Sequence, residues 1–193
     1  MNDLRKSETC VARDLLKAVR IRGSDFAGSE PPPRRWLVPE LMPRGNVTLL
    51  YGDGGLGKST LALQLAVSTA LGGHWLGRPV VQGEVLYLSA EDDAPELHRR
   101  LHEAAIHYDV DLAALGGVHL IPLADKDATL GVEGEGGAIV PTALWRALDA
   151  FSATDMGAEH EPALFILDSL ADVFGGNEIN RNHARQFIAQ LRR

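Results

Sequence analysis

Between Tyr51 and Leu61 the chain reads Gly52-Asp53-Gly54-Gly55-Leu56-Gly57-Lys58-Ser59-Thr60, four glycines followed by a cation and two hydroxyls. The spacing is G-x-x-x-x-G-K-S, and each residue type has a physical use. Glycines 54, 55 and 57 let backbone N–H groups turn inward around an anion, where a Cβ would clash or resist positive φ. Lys58 offers a compact charge suited to the β- and γ-phosphates of a nucleoside triphosphate, and the Ser59 hydroxyl suits Mg²⁺. Thr60 is placed for the α-phosphate. Gly52, Gly54, Gly55, Leu56, Gly57, Lys58, Ser59 and Thr60 are therefore expected to bind ATP, with Mg²⁺ as its companion ion.

Two acidic positions complete the chemistry. Phe165-Ile166-Leu167-Asp168 is an apolar run tipped by a carboxylate. Beside a phosphate loop, such a carboxylate is expected to hold Mg²⁺ through its water, so Ser59 and Asp168 form the expected metal set. The competing reading is an aspartate that caps a turn. Asp168 is followed by Ser169 and not by a second acid, so a water-activating base must come from elsewhere. Glu91 in Leu88-Ser89-Ala90-Glu91-Asp92-Asp93 is the candidate, with Asp92 as its substitute. A carboxylate at the C-terminal end of a neighbouring strand can face the same crevice and take a proton from water. The alternative is that all three acids form a helix N-terminal turn favoured by the helix dipole. The expected catalytic set is Glu91, Lys58 and Asp168.

These residues need elements to position them. Asn46–Tyr51 is a β-rich run ending at the glycines, and Lys58–Leu71 is a helical stretch closed by Gly72-Gly73. Further strands are expected at Val85–Leu88, Val118–Ile121 and Ala163–Leu167. Further helices are expected at Pro95–His107, Pro141–Phe151 and Asn182–Arg193. Asp125–Gly137 is polar and glycine-rich, so a surface loop is expected there. Near-continuous apolar strands alternating with helices imply an α/β fold: a mostly parallel sheet flanked by helices in three layers. Before Trp36 the grammar differs. A short helical pattern at Leu15–Val19 gives way to a Gly/Ser/Pro-rich stretch ending in Pro31-Pro32-Pro33. Residues 1–35 are expected to be an arm and linker, and residues 36–193 the nucleotide-binding core.

The bulk numbers restrict the alternatives. Of 193 residues, 45% are hydrophobic, enough for a core without disulfides or metals. Cys10 is the sole cysteine, so no intrachain disulfide can form. No apolar run reaches the ~20 residues of a membrane span, and residues 1–20 lack the apolar centre of a signal peptide. A cytoplasmic protein is expected. The net charge of −7 argues against a globally basic nucleic-acid binder and leaves room for a local basic patch. His98 and His102 stand four apart, but the surrounding pattern is not that of a zinc protease; His98, His102 and His107 are expected to be surface histidines. Arg99-Arg100, Arg34-Arg35 and Arg192-Arg193 are read as solvated charge in preference to phosphate or DNA contacts, and Trp36 as either a stacking platform or sheet-edge packing.

Taken together, the glycine loop, the strand followed by Ala90-Glu91-Asp92, and the strand ending in Asp168-Ser169 resemble the RecA-like core. The nearest likeness is to RepA-type hexameric helicases of plasmids and to related AAA-family ATPases of phages and mobile elements. Trp36-Leu37-Val38-Pro39 and Asn177–Asn180 with Arg181 and Arg185 share in it. Partition-type ATPases have a similar loop but place a second lysine where Asp53 stands. The resemblance implies ATP hydrolysis, a homo-oligomeric ring (a hexamer in such relatives) with ATP between subunits, and single-stranded DNA in its channel. It implies a role in plasmid or phage DNA replication or maintenance. In such relatives the core continues into a further strand with a polar sensor and an arginine finger. This chain ends at Arg192-Arg193 inside a helical pattern, so a C-terminally truncated form is expected and no arginine finger is assigned. Two other functions fit the same loop: a nucleotide-gated regulatory module with little turnover, and a small-molecule P-loop kinase.

Overall fold

The computed structural model of the chain describes residues 2–154 and 162–192. It consists of two units, Met1–Arg34 and Arg35–Arg193. The first contains a single long helix, α1 (Asn2–Val19), and a 3₁₀ turn at Gly23–Phe26. The helix is far longer than the Leu15–Val19 pattern suggests. Its N-terminal half is polar and shows little apolar periodicity, yet it holds good helix formers with neither Gly nor Pro before Gly23.

The second unit is built around three parallel strands. In chain order its elements are β1 (Trp36–Val38), β2 (Met42–Pro43), α2 (Lys58–Leu71), β3 (His74–Trp75), β4 (Arg78–Pro79), β5 (Val85–Ser89), α3 (Ala94–His107), β6 (Val118–Pro122), β7 (Gly131–Glu133), β8 (Ile139–Pro141), α4 (Ala143–Thr154), β9 (Leu164–Asp168), α5 (Leu170–Val173), β10 (Phe174–Gly175) and α6 (Arg181–Gln190). The central sheet has the order β6-β5-β9, with Ser89 of β5 opposite both Pro122 and Asp168. All five residues of β5 are buried. Successive side chains of a strand face opposite ways. Val85 and Tyr87 accordingly share a cluster with Leu63 and Ala66 of α2 and Leu97 of α3. Leu86 and Leu88 pack with Leu148 of α4, Val173 of α5 and Phe187 of α6. A helical layer thus covers each face, the α/β arrangement that the unbroken apolar strands require.

Three expectations need correction. Asn46–Tyr51 is in no sheet: Leu49, Leu50 and Tyr51 are 63%, 42% and 87% exposed, and among the described residues β9 pairs on one edge only, with β5. Strand propensity describes a fit to a pleated, half-buried surface, so a run with no neighbour to pair with does not become a strand. The expected loop Asp125–Gly137 contains β7, which pairs with β10 and β8 in a second small sheet. Pro141 ends β8, and α4 starts after Thr142, whose Oγ1 accepts the Trp145 N–H at 3.2 Å. Arg193, the last residue of the expected final helix, lies outside the described residues.

The second sheet is held against the core by close backbone approach. A Cβ on Gly131 would lie 2.7 Å from the Phe187 ring and 3.1 Å from Ile139. Phe187 is buried and stacked on Phe174 at 5.0 Å, so neither ring can easily yield. Gly131→Ala is expected to lower the unfolding free energy by about 1–3 kcal/mol, read from chemical denaturation midpoints.

Candidate functional site

The glycine loop leads directly into α2. Gly55 and Gly57 have φ of +75° and +77°, a conformation that L side chains rarely adopt. An ideal Cβ at Gly54, Gly55 or Gly57 would meet nothing within 4 Å, so the loop borders open space. No side chain caps the start of α2; its N-cap is Gly57, whose carbonyl accepts Leu61 N–H at 2.9 Å. The amides of Lys58, Ser59 and Thr60 therefore precede the helical ladder and point out of the helix end. Open space, donor amides and the positive end of a 14-residue helix make a fitting receptor for phosphate. Lys58 Nζ donates to the carbonyl oxygens of Gly52 and Asp53 at 2.9 and 2.8 Å, so the ammonium curls back over its own loop.

The helix is a rigid mount. Leu63, Leu65, Ala66 and Val67 are buried, and Trp75 Nε1 donates to the Leu61 carbonyl at 3.0 Å. Its far end is tied to the sheet: Gly83 N–H, just ahead of β5, donates to Thr69 O at 3.1 Å. The C-terminus of α2 therefore sits at the N-terminal end of β5. A 14-residue helix runs about 21 Å and a five-residue strand about 17 Å. The glycine loop is consequently directed toward the strands' C-terminal ends, where parallel α/β sheets bind ligands.

Asp168 and the Glu91 segment occupy that end of the sheet. Asp168 is the last residue of β9; its carbonyl accepts Ala90 N–H at 2.6 Å and its Oδ2 accepts the Tyr87 hydroxyl at 2.6 Å. Tyr87 is fully buried, and burial first, then the bond to Asp168, pushes its phenol far above the usual range, so it remains a donor.

The three consecutive acids go three ways. Asp93 is the N-cap of α3, accepting Glu96 N–H at 2.8 Å. Asp92 is buried: its N–H donates to Ser89 Oγ at 3.0 Å and its Oδ1 lies 3.2 Å from Arg100 Nη2. Burial raises the Asp92 carboxyl above its ordinary range, Arg100 counters this, and the charge of Asp168 adds to it. Glu91 is exposed, and among the described residues no hydrogen bond or ion pair engages its side chain.

The structure thus unites Asp168 with Tyr87, Ser89 and the Asp92–Arg100 pair, while among the described residues Lys58 and Ser59 share no hydrogen bond or ion pair with Asp168 or Glu91. Tyr87 was not anticipated, nor was the pairing of Arg100 with Asp92. The signal for Tyr87 was present: one hydroxyl-bearing ring in an aliphatic strand must find a partner when buried. Arg99 and Arg100 both pair with Glu96; Arg99 stays on the solvated face of α3, while Arg100 is half-buried and turned to Asp92 as well. His98, His102 and His107 are exposed, and among the described residues no group of three or more His, Cys, Asp or Glu is arranged to hold a metal. Cys10 is exposed, Trp36 half-buried at the head of β1. No helix among the described residues is long and apolar enough to cross a membrane. A family model described as AAA domain matches residues 13–193.

Proposed function

From the membership of this chain in the AAA domain family of P-loop ATPases, which makes it a nucleotide-binding protein, we propose that it binds and hydrolyses Mg²⁺-ATP as a RecA-like motor of the RepA-helicase kind. In this reading it assembles as a homo-oligomeric ring, acts on single-stranded DNA, and serves the replication or maintenance of a plasmid or phage. The observation that supports hydrolysis is the exposed, unengaged Glu91 at the same sheet end as Asp168, toward which the glycine loop is directed.

The roles follow from the residue chemistry. The amides of the glycine loop and of the first turn of α2 hold the phosphates, with Gly52, Gly54, Gly55, Leu56, Gly57 and Thr60 supplying backbone. Lys58 leaves the Gly52 and Asp53 carbonyls to meet the β- and γ-phosphates. Ser59, directly, and Asp168, through a water, would hold Mg²⁺, which would offset the charge that develops on the phosphoryl oxygens. Glu91 takes a proton from water as the bond from that water's oxygen to the γ-phosphorus forms and the bond to the β–γ bridging oxygen breaks. Asp92, whose carboxylate already pairs with Arg100, is less free to do this.

Phosphate release measured with Mg²⁺-ATP, with and without single-stranded DNA, tests the reading. ATP hydrolysis that rises several-fold with DNA is the expected result. An undiminished rate that ignores DNA removes the motor assignment, and transfer of the phosphoryl group to a metabolite points to a kinase. A second reading is a nucleotide-gated regulatory module. The self-held Lys58 favours it, because nucleotide must open that arrangement. It predicts tight binding, negligible turnover and a silent Glu91→Gln.

A further inference from the structure

Tyr87 and Asp168 are 81 residues apart in sequence and meet because of the register of β5 on β9. Tyr87 stands opposite Ile166, so Asp168 is its diagonal neighbour two residues on and on the same face. A diagonal pair is separated by about 7–8 Å, a gap that a long aromatic side chain can span. The other β5 residues are Val85, Leu86, Leu88 and Ser89; phenylalanine at 87 would fill the same volume without the oxygen. A buried tyrosine hydroxyl requires a partner, and this one is spent on the carboxylate at the strand end.

We infer that Tyr87 is a positioning residue: its hydroxyl fixes Oδ2 of Asp168 and thereby presents Oδ1 to the hydrated Mg²⁺ of a bound nucleoside triphosphate. The inference rests on the reading of Asp168 as the metal-supporting carboxylate. A carboxylate has two oxygens and about four acceptor directions. Left alone at a strand end, it rotates about its side-chain torsions, and ordering it on metal binding costs free energy. The Tyr87 bond settles that rotation beforehand. The ring is itself locked, sharing a buried cluster with Val85, Leu97, and Leu63 and Ala66 of α2. Because α2 also carries Lys58 and Ser59, one buried ring spaces the phosphate helix from the carboxylate strand. Partners that orient a metal-site carboxylate typically matter by about 10–100-fold in metal affinity or activity.

The test is Tyr87→Phe in the full chain, read by binding of a fluorescent adenosine triphosphate analogue across a Mg²⁺ titration. Asp168→Asn serves as the reference. The expected result is a Mg²⁺ midpoint raised about tenfold in Tyr87→Phe. Analogue binding in excess chelator should be unchanged, and the melting temperature only modestly lower. A lower melting temperature with the Mg²⁺ midpoint unmoved, while Asp168→Asn moves it, overturns the positioning role. An unmoved midpoint in Asp168→Asn itself overturns instead the assignment of Asp168. If Tyr87→Phe does not fold, 4-fluorophenylalanine placed at position 87 alone keeps the ring and nearly its full volume and removes the donor. Its midpoint must then shift for the inference to stand, and an unshifted midpoint sinks it.

Discussion

Lys58→Ala is expected to weaken binding of Mg²⁺-ATP, with the dissociation constant rising by about 100-fold. The size follows from what the side chain gives up and gains. In the free loop its ammonium has two neutral acceptors, the Gly52 and Asp53 carbonyls. Bonds from a charged donor contribute roughly 1.5–3 kcal/mol each when sheltered, but Gly52 and Asp53 are accessible enough for water to replace the lysine, so little is lost there. On the phosphates the same ammonium meets full negative charges in place of neutral carbonyls, an interaction that water does not replace. A net loss of about 3 kcal/mol corresponds to a factor of about 100 in affinity. The fold is unaffected in its core, because Lys58 lies ahead of the buried run Leu63–Thr69. The melting temperature of the variant should therefore stay within a few degrees of the parent's. Isothermal titration calorimetry decides the matter, and a variant that binds nucleotide as the parent does removes the foundation of the functional reading. Lys58→Arg is not a rescue, since a planar fork does not replace a compact ammonium.

Glu91→Gln leaves nucleotide affinity within about threefold and lowers turnover by about 10²–10⁴-fold, the range that general-base catalysis contributes. The amide keeps the shape of the side chain and loses the proton-accepting oxygen, so binding and chemistry separate cleanly. Asp92→Asn is the informative companion. Its carboxylate lies 3.2 Å from Arg100 while its backbone N–H donates to Ser89 Oγ, and Arg100 retains Glu96 when Asp92 is neutralised. It is expected to affect stability more than rate. Single-turnover phosphate release on both variants distinguishes them; the opposite pattern, with Asp92→Asn inactive and Glu91→Gln active, transfers the role to Asp92.

Much of this site was legible because it is local. The glycine loop reads from eight consecutive residues, since positive φ at Gly55 and Gly57 and an uncapped helix start are properties of the loop and its helix. The strands at Val85 and Leu164 and the helices at Lys58 and Ala94 announce themselves through apolar runs, a glycine stop after Leu71 and a capping Asp93 with Pro95 in the first turn. The division of labour among Glu91, Asp92 and Asp93 was not legible. All three are acids with the same local preferences, and what separates them is Arg100 and Ser89 for Asp92, an amide for Asp93 and solvent for Glu91.

By itself, then, the amino-acid sequence determined the glycine loop with its uncapped helix start, the alternation of strand and helix, and the two carboxylate-bearing segments that accompany the loop. Tertiary structure alone decided which edges pair and which side chains meet. Asn46–Tyr51 has the composition of a strand and remains outside the sheet, because strand character is completed only by a neighbour's hydrogen-bonding groups. The polar stretch around Gly131 became a strand because β8 and β10 supplied such neighbours. Tyr87 reached Asp168 through register, a relation between two strands that no periodicity within either one encodes.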